Sequence, residues 1–591
     1  MTNVDSTHAT KFKDGKDSKG RLYNGNRMYH NTMYGLFLFI VMSCAIGLIC
    51  IASLVQYGDL QLPRITVHNL HNNSATDGNG IRGIQVKKIM RHLPEAKDEW
   101  ASSFECVGWK AQQACSPNGG PDPSNDRACN VTVRHGESGF CEIRHKTTGQ
   151  VRHVMKMHCN SLCVNVKFKC EEFASLMDYA RLSTEYVHDS NFSFIGCQQQ
   201  LVEDQLRAAV AMTEQSEQAQ VEMMKKDLQQ MKKELRVVPT PPSSYKRGIT
   251  IAVYKKLLQS VYASVRSLRD MGCTLPIELW YKRSEVDVAH PLLRELTERY
   301  GTYMREMKDP RAVGFYTKLY AIYYSAFDQV LFLDADNFAV RDPTFLFDTP
   351  QFQNKGAIFW PDFWKPSYST FNIQKTSYVW EFFGLDYVDM FEQESGQVLI
   401  NRRMHYKALN VLMYYGYSLP RTYLKMRLVW GDKDLFRFAW LKSKSSFYMI
   451  PGPPGSAGTK HADYDLFCGV TMVQHDLSGR VLFLHRNAQK LTLDNNRILW
   501  THIQQFNPTS SLLDYKVRGS DGGKAFPQFR RCYGKEVNYE KLFTLKPMSA
   551  FPFANLENDL LRLAAAATDI VRQSGYKNKM ASRPEQISSS D

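Results

Sequence analysis

Carboxylate pairs separated by one residue could bind a divalent cation, and the sequence contains three of them. They are Asp334/Asp336, Asp432/Asp434 and Asp463/Asp465. Only the first follows a strand-like apolar run, residues 330–333, and ligands of α/β sheets bind at the carboxyl ends of strands. Oxygen ligands there favour Mn²⁺ or Mg²⁺, which can neutralise charge developing on a diphosphate leaving group. We therefore predict a cation site at Asp334 and Asp336, with a capped polar turn as the alternative.

A third ligand is expected from another strand end. His485 follows the apolar run 481–484 and could complete the set, although a single histidine after a strand is often structural.

Two further polar segments could contact a ligand. Glu394 and Gln397 flank Gly396, which would let backbone approach a ligand closely, and a surface turn is the alternative. Asp432 could cap a helix that has Asp434 in its first turn, but capping accounts for one of these carboxylates better than for both. The aromatic segment 360–364 fits a buried core, a lid or a sugar-stacking surface.

An alternation of strands and helices would position these residues. Strand patterns at 249–253, 277–281 and 330–333 alternate with helical patterns at 257–271, 292–300 and 315–327. This alternation predicts an α/β fold with a mostly parallel sheet.

The overall composition indicates an anchored globular protein. The 591 residues are 43% apolar, with 35 glycines and 24 prolines, which excludes disordered and collagenous classes. The net charge of +15 is not concentrated in a long basic block of the main body, so we expect no nucleic-acid partner.

Residues 35–56 predict a single membrane span. Residues 35–55 carry no charge and would be roughly 32 Å long as a helix, the thickness of a bilayer core. Lysines and arginines are more frequent before it than after it, which places the N-terminus in the cytoplasm and the remaining chain in the lumen. We therefore predict an uncleaved signal anchor of a type II membrane protein.

Eight cysteines crowd into the module at residues 101–200 and predict up to four disulfides in an oxidising compartment. Zinc bound by Cys159, Cys163, Cys170, His153 and His158 is the alternative.

A heptad-like pattern at 201–238 predicts a helix that either forms a homodimer or packs on its own chain. The predicted organisation is a cytoplasmic tail (1–34), the anchor (35–56), a stem (57–100), the Cys-rich module (101–200), the helical stem (201–238), a Pro-rich linker (239–247), the α/β domain (248–550) and a C-terminal helix and tail without recognisable chemistry (551–591).

Seven segments within residues 248–491 occur in an order that resembles one enzyme family. They are LPIELWY (275–281), KLY (318–320), FLDADN (332–337), WPDFW (360–364), ESGQ (394–397), GDKDLF (431–436) and MVQHD (472–476). In this order they resemble the fungal-type Golgi α-mannosyltransferases, α-1,2 and α-1,3, that extend mannan and N-glycan outer chains.

This resemblance implies a GT-A fold, the Rossmann-like nucleotide-sugar transferase fold, in the Golgi membrane. It implies GDP-mannose as donor, a mannose-containing glycan or glycoprotein as acceptor, retention of anomeric configuration, and Mn²⁺ or Mg²⁺ held by Asp334 and Asp336. Glycogenin-like transferases are more distantly similar, and there a late histidine joins the metal, a position that His485 matches.

The remaining candidates receive roles from the same resemblance. Lys318 would counter the phosphate charge of the donor. Glu394, Gln397, Asp432 and Asp434 would orient the acceptor and the donor sugar. The departing diphosphate could help to activate the acceptor hydroxyl, so a separate base is not required.

Three alternatives stay open from the sequence. The same fold could use a UDP-sugar, or a glycosidase could use paired carboxylates such as Glu381 and Glu394. A non-catalytic surface receptor built around the Cys-rich module and the coiled coil could bind glycans.

Overall fold

The structure is a computed structural model, and it describes residues 99–159, 167–188, 246–365, 369, 373–418, 423, 429, 431–492, 497–535 and 540–576. The chain divides into two units, Met1–Ser74 and Ala75–Asp591, and all described residues belong to the second. The predicted tail, anchor, most of the stem, the 201–238 helix and most of the linker lie outside the described residues. Within the described ranges, no helix is long and apolar enough to cross a membrane.

The Cys-rich module contains a three-stranded antiparallel sheet in the order β1-β3-β4 and a small pair, β2 with β5. Its elements are α1 (Glu99–Ser102), β1 (Phe104–Ala111), β2 (Thr132–Arg134), β3 (Gly139–His145), β4 (Val151–Met157), β5 (Lys167–Lys169) and α2 (Phe173–His188).

Disulfides hold this module together, as the sequence predicts. The pairs are Cys106–Cys129, Cys115–Cys159 and Cys141–Cys170. Because Cys159 and Cys170 are oxidised, they are not available as the thiolates that the alternative zinc site requires. The other two cysteines of the module, Cys163 and Cys197, lie outside the described residues.

The α/β region is built on a seven-stranded sheet in the order β13-β11-β12-β9-β6-β7-β8. Parallel pairing joins β6 to β7 and β9, β7 to β8, and β11 to β13, while β12 lies antiparallel between β9 and β11. The predicted α/β class and mostly parallel sheet are confirmed here. The elements are β6 (Arg247–Ala252), α3 (Leu258–Asp270), β7 (Ile277–Tyr281), α4 (Pro291–Arg299), β8 (Thr302–Glu306), α5 (Thr317–Tyr324), β9 (Gln329–Leu333), β11 (Ala357–Pro361), β12 (Gln393–Asn401) and β13 (Tyr448–Met449).

The structure also contains a second, antiparallel sheet, which the sequence pattern did not predict. Its strand order is β10-β16-β15-β14-β17-β20, and β19 joins β15 to β18. The strands are β10 (Asn337–Ala339), β14 (Gly455–Lys460), β15 (Phe467–His475), β16 (Val481–His485), β17 (His502–Phe506), β18 (Val517–Ser520), β19 (Cys532–Lys535) and β20 (Phe543–Pro547). Further helices are α6 (Pro350–Lys355), α7 (Val379–Phe383), α8 (Tyr406–Tyr417), α9 (Leu435–Lys442) and α10 (Leu556–Gln573).

The Cys-rich module shares an apolar core with the α/β region. Tyr179 of α2 stacks on Phe382 of α7 with ring centroids 4.4 Å apart. The Glu381 carboxylate accepts a hydrogen bond of 2.8 Å from the Met155 backbone N–H, and the Tyr378 N–H donates to the Lys156 carbonyl at 2.8 Å. The described part of this module is therefore packed against the α/β region.

Candidate functional site

The candidate site lies where the two sheets meet. The chain leaves β9 at Leu333 and enters β10 at Asn337, so Asp334 and Asp336 occupy the connection between the sheets. The Asp334 N–H donates to the Gly396 carbonyl of β12 at 2.8 Å, and the Arg486 N–H donates to the Asp336 carbonyl at 2.9 Å. Since Asn337 pairs with His485 in the register of β10 and β16, His485 lies beside both carboxylates.

The three residues predicted as metal ligands come together. Asp334, Asp336 and His485 each offer a ligand atom, and these atoms lie within 4.8 Å of one another. The His485 Nε2 is 3.4 Å from the Asp336 Oδ1 and 3.8 Å from the Asp334 Oδ2. The Asp334 side chain is 24% exposed, whereas Asp336 and His485 are buried. Two carboxylates and an imidazole fit the donor preferences of Mn²⁺, with one side of the set open to solvent.

Buried negative charge dominates the electrostatics of this group. Burial lowers the pKa of His485, but the carboxylates of Asp336 and Glu394 outweigh it and raise that pKa to about 10. Burial raises the pKa of Glu394, and His485, whose Nδ1 is 3.4 Å from the Glu394 Oε1, more than offsets this and lowers it to about 2. The buried carboxylates are therefore stabilised by a neighbouring positive charge. Either a protonated His485 or a metal ion bound by neutral His485 can supply it.

Gly396 makes room for the histidine. A Cβ added there would lie 2.5 Å from the His485 Nδ1, closer than unbonded atoms approach. The sequence indicated close approach at this glycine, although residues 393–401 form strand β12 rather than a turn before a strand. The neighbour that needs the space is therefore His485.

We expect Gly396→Ala to displace the His485 ring and to weaken Mn²⁺ binding by about 10- to 100-fold, the usual effect of disturbing the support of a metal ligand. Titration of the purified protein with Mn²⁺, followed calorimetrically, measures this. Gly452→Ala is the matched control, because a Cβ there meets no atom within 4 Å. Unchanged Mn²⁺ affinity in Gly396→Ala would show that the histidine does not contribute to the binding.

Lys318 lies at the buried side of the site. Its ammonium contacts the Asp334 Oδ2 at 3.1 Å, the Asp432 Oδ2 at 3.4 Å and the Ser395 carbonyl at 3.0 Å. Burial lowers the pKa of Lys318, but these carboxylates outweigh it and raise that pKa. For Asp432, burial raises the pKa to about 6 although Lys318 opposes the shift. Lys318 and Asp432 therefore form a buried ion pair next to the predicted metal ligands.

Gln397 and Asp434 are placed differently. Gln397 lies on β12, where its Oε1 accepts a hydrogen bond of 2.6 Å from the Asn337 side-chain amide. Asp434 is buried in a neighbouring network, with its Oδ1 2.7 Å from the Arg437 Nη2 and its Oδ2 3.2 Å from the Lys433 Nζ. Gln397 thus contacts a residue next to the candidate metal ligands, whereas Asp434 contacts Arg437 and Lys433 instead. The role of Asp434 with a sugar stays a prediction.

The predicted helix cap at Asp432 is wrong. Helix α9 begins at Leu435, and Asp434 occupies the position before it with a left-handed φ of 64° and no side-chain cap hydrogen bond. Both carboxylates are instead bound by buried cations, Asp432 by Lys318 and Asp434 by Arg437. The sequence correctly indicated that capping alone does not explain two aspartates.

Sequence reasoning missed Lys490, which follows His485 by five residues in the loop after β16 and forms an ion pair with the Asp336 Oδ2. Burial lowers the pKa of Lys490, but Asp336 outweighs it and raises that pKa. The side chain is 44% exposed. A basic residue shortly after a strand-end histidine is the signal that could have indicated it.

The C-terminal helix also supports the site, contrary to the expectation that residues 551–591 carry no recognisable chemistry. Glu557 of α10 forms an ion pair of 2.6 Å with Arg486, the residue after His485. The Glu557 carboxylate also accepts hydrogen bonds from the Leu499 and Trp500 N–H groups. These contacts fix the chain immediately beyond the candidate metal ligand.

Comparison with known proteins identifies the region that carries most of these residues. Residues 246–476 match a family model described as "Mannosyltransferase putative". This range includes Lys318, Asp334, Asp336, Glu394 and Asp432, whereas His485 and Lys490 follow it.

Curated relatives are α-1,2-mannosyltransferases of yeasts. The chain is 28% identical to MNN24 of Candida albicans over 37% of each chain. It is 26% identical to MNN5 of Saccharomyces cerevisiae over 36% of this chain and 46% of that protein, and 25% identical to MNN2 of the same yeast over 40% and 47%. The resemblance to fungal α-mannosyltransferases is thus confirmed, and the matches span less than half the length of these relatives.

Two glycosyltransferases of known structure are similar to a part of the chain. The galactosyltransferase LgtC, in complex with donor and acceptor sugar analogues, is 13% identical over 34% of this chain and 73% of that chain, with a TM-score of 0.26. The glycosyltransferase GlyE of Streptococcus pneumoniae is 15% identical over 35% and 45%, with a TM-score of 0.25.

Proposed function

We propose that this chain, whose residues 246–476 match the mannosyltransferase family, is a retaining, metal-dependent glycosyltransferase of GT-A fold. It transfers mannose from GDP-mannose to a mannose-containing glycan or glycoprotein and forms an α-linkage. The observation that carries the proposal is the convergence of Asp334, Asp336 and His485 beside Lys318 and Lys490.

The residues present fit a divalent cation. Asp334, Asp336 and His485 would hold Mn²⁺ or Mg²⁺, and the open side of Asp334 leaves room for phosphate oxygens. When bound, the cation supplies positive charge against the diphosphate of the donor.

Cationic side chains on two sides of the metal ligands suit the diphosphate as well. Lys490 is partly exposed and paired with Asp336, so it would place a positive charge beside a carboxylate that is proposed to hold the cation. Lys318 is buried behind Asp334 and adds positive potential without entering solvent. Such fixed charges favour the state in which negative charge has developed on the departing diphosphate.

Group transfer then needs an oriented sugar and a proton acceptor. The bond from the mannose C1 to the diphosphate oxygen breaks, the bond from C1 to the acceptor oxygen forms, and the acceptor proton passes to the departing diphosphate. Glu394, Gln397 and Asp432 border the metal ligands and would orient the two sugars. Asp434 would act through the adjoining network.

The predicted cellular setting belongs to the same proposal. An anchor at 35–56 would make the chain a single-pass type II protein of the Golgi membrane, with the site in the lumen. The disulfides of the Cys-rich module support an oxidising compartment. A homodimer through residues 201–238 would be compatible with this arrangement.

A donor panel tests the proposal. The purified full chain is offered GDP- and UDP-sugars with and without Mn²⁺, and the consumption of each donor and the anomeric configuration of the product are measured. We expect Mn²⁺-dependent consumption of GDP-mannose and an α-linked product. Consumption of a UDP-sugar instead would contradict mannose transfer, and sugar release without any donor would indicate a glycosidase. Glycan binding without donor turnover or donor binding would indicate a receptor.

A further inference from the structure

A β-hairpin beyond the family-matched region is fixed next to the site. Strands β18 and β19 pair with each other, and Tyr533 of β19 pairs with Gly469 of β15. The disulfide Cys468–Cys532 joins β15 to β19 at this point. A Cβ at Gly469 would lie 2.3 Å from the Tyr533 carbonyl oxygen, so the glycine permits the close approach of the two strands. Since β15 also pairs with β16, the hairpin is held in the sheet that carries His485.

The hairpin brings Tyr533 to the aromatic segment 360–364. The rings of Tyr533 and Phe363 stack with centroids 5.2 Å apart and planes 17° from parallel. Phe363 follows Asp362, whose carboxylate Oδ2 is 3.2 Å from the Lys433 Nζ. The segment itself is buried core, as one of its three sequence interpretations expected, but Tyr533 remains partly exposed on top of it.

The aromatic segment on which Tyr533 stacks begins next to Glu394, because Trp360 pairs with Glu394 in the register of β11 and β12. Burial raises the pKa of Tyr533, Arg531 lowers it in part, and the negative charges of Asp362 and Glu394 raise it further. Glu394 is the residue that contacts the His485 ring at 3.4 Å. Tyr533 therefore stacks on a segment that borders the candidate metal site.

Position 519 of the hairpin carries no side chain beside these rings, and we call this position the notch. Gly519 of β18 pairs with Tyr533 across the hairpin and is exposed. A Cβ at this position would lie 3.5 Å from the Tyr533 Cε1 and 4.0 Å from the Trp364 Cη2. A larger side chain at 519 would therefore begin in contact with both rings, whereas glycine adds no side chain there.

We propose that Tyr533 and the notch at Gly519 bind a sugar ring of the acceptor glycan, an inference that rests on the proposed glycosyltransferase activity. An aromatic face beside a notch suits the apolar C–H face of a pyranose, and nearby carboxylates suit a ligand rich in hydroxyl donors. The donor diphosphate is assigned to the metal ligands and Lys490, so we assign the notch to the acceptor. The notch adds a specificity-determining residue from outside the family-matched range.

Steady-state kinetics of the full chain with Mn²⁺, GDP-mannose and α-mannobiose as the acceptor probe separates these substrates. We expect Tyr533→Ala to raise the KM for α-mannobiose by about tenfold, the equivalent of one aromatic stacking contact. Gly519→Leu, which fills the notch from an exposed position, should raise the same KM. Tyr533→Phe keeps the ring and should stay within about twofold of the unmodified protein. Tyr464→Ala removes an aromatic ring that is 61% exposed elsewhere and serves as the matched control.

The KM for GDP-mannose and the thermal shift caused by GDP with Mn²⁺ should be unchanged in all four variants. An unchanged acceptor KM in both Tyr533→Ala and Gly519→Leu would overturn the acceptor site while leaving the transferase proposal standing. A raised donor KM in these variants would assign Tyr533 to the donor instead. Failure of the unmodified protein to bind GDP-mannose would overturn the proposed function and the acceptor assignment together.

Discussion

Asp336→Asn should abolish Mn²⁺-dependent donor consumption while the protein remains folded. The Asp336 Oδ1 lies 3.4 Å from the His485 Nε2, and the Asp336 Oδ2 forms an ion pair with Lys490. The carboxylate therefore contacts both a proposed metal ligand and the lysine that is proposed to act on the diphosphate. Asparagine keeps the shape and removes the charge. If the cation supplies about 4 kcal/mol of charge stabilisation, its loss lowers kcat by roughly a thousandfold.

The chain provides a matched control for this substitution. Asp463 and Asp465 have the same one-residue spacing but do not follow β9, and the Asp465 side chain is 87% exposed beside Lys460. Asp465→Asn should leave donor consumption and its Mn²⁺ dependence unchanged. Asp336→Asn with full activity and unaltered Mn²⁺ dependence would remove the metal site from the proposal.

The parts of this site that the sequence predicted are those set by local patterns. Asp334 and Asp336 could be predicted from the sequence because a continuous apolar run precedes them, and such a run is typical of a strand buried on both faces. The adjoining helices and strands follow from the same alternation. His485 needed the resemblance as well, since its pairing with Asn337 joins residues far apart in the chain.

The missed features depend on contacts that no local pattern records. The pairing of β10 with β16 adds β10 to the second sheet, although these two strands are separated by more than a hundred residues. Cys468 and Cys532, 64 residues apart, lie outside the dense cysteine cluster, so their disulfide was not anticipated. Glu557 reaches Arg486 from the C-terminal helix. The contacts of Asp434 with Arg437 were likewise not predictable from the local pattern, and the sugar role that the resemblance implies for Asp434 stays a prediction.

Lys318→Met should reduce both stability and activity, because Lys318 is the cation shared by two carboxylates at the buried side of the site. Its side chain is 5% exposed, and that of Asp432 is 4% exposed. Removing one partner of a buried ion pair leaves an uncompensated charge, which costs about 3–5 kcal/mol. Lys407→Met on α8 removes an exposed lysine and should change neither property.

The pH dependence of this loss identifies its cause. Without Lys318, the pKa of Asp432 should rise above the value of about 6 that it has beside the lysine. A carboxyl group whose pKa is raised by folding destabilises the protein as the pH increases from its unfolded pKa through its folded pKa. The drop in unfolding temperature of Lys318→Met should therefore be larger at pH 8 than at pH 5.5, as measured by scanning calorimetry.

A double substitution separates the structural role of Lys318 from its role in the reaction. Lys318→Met/Asp432→Asn removes both charges of the buried pair and should recover a large part of the lost stability, since no isolated carboxylate remains at 432. Donor consumption should stay low, because the positive potential behind Asp334 is still missing when the diphosphate departs. If the double variant regained both stability and activity, Lys318 would serve only to neutralise Asp432, and Lys490 would remain as the cationic side chain facing the diphosphate.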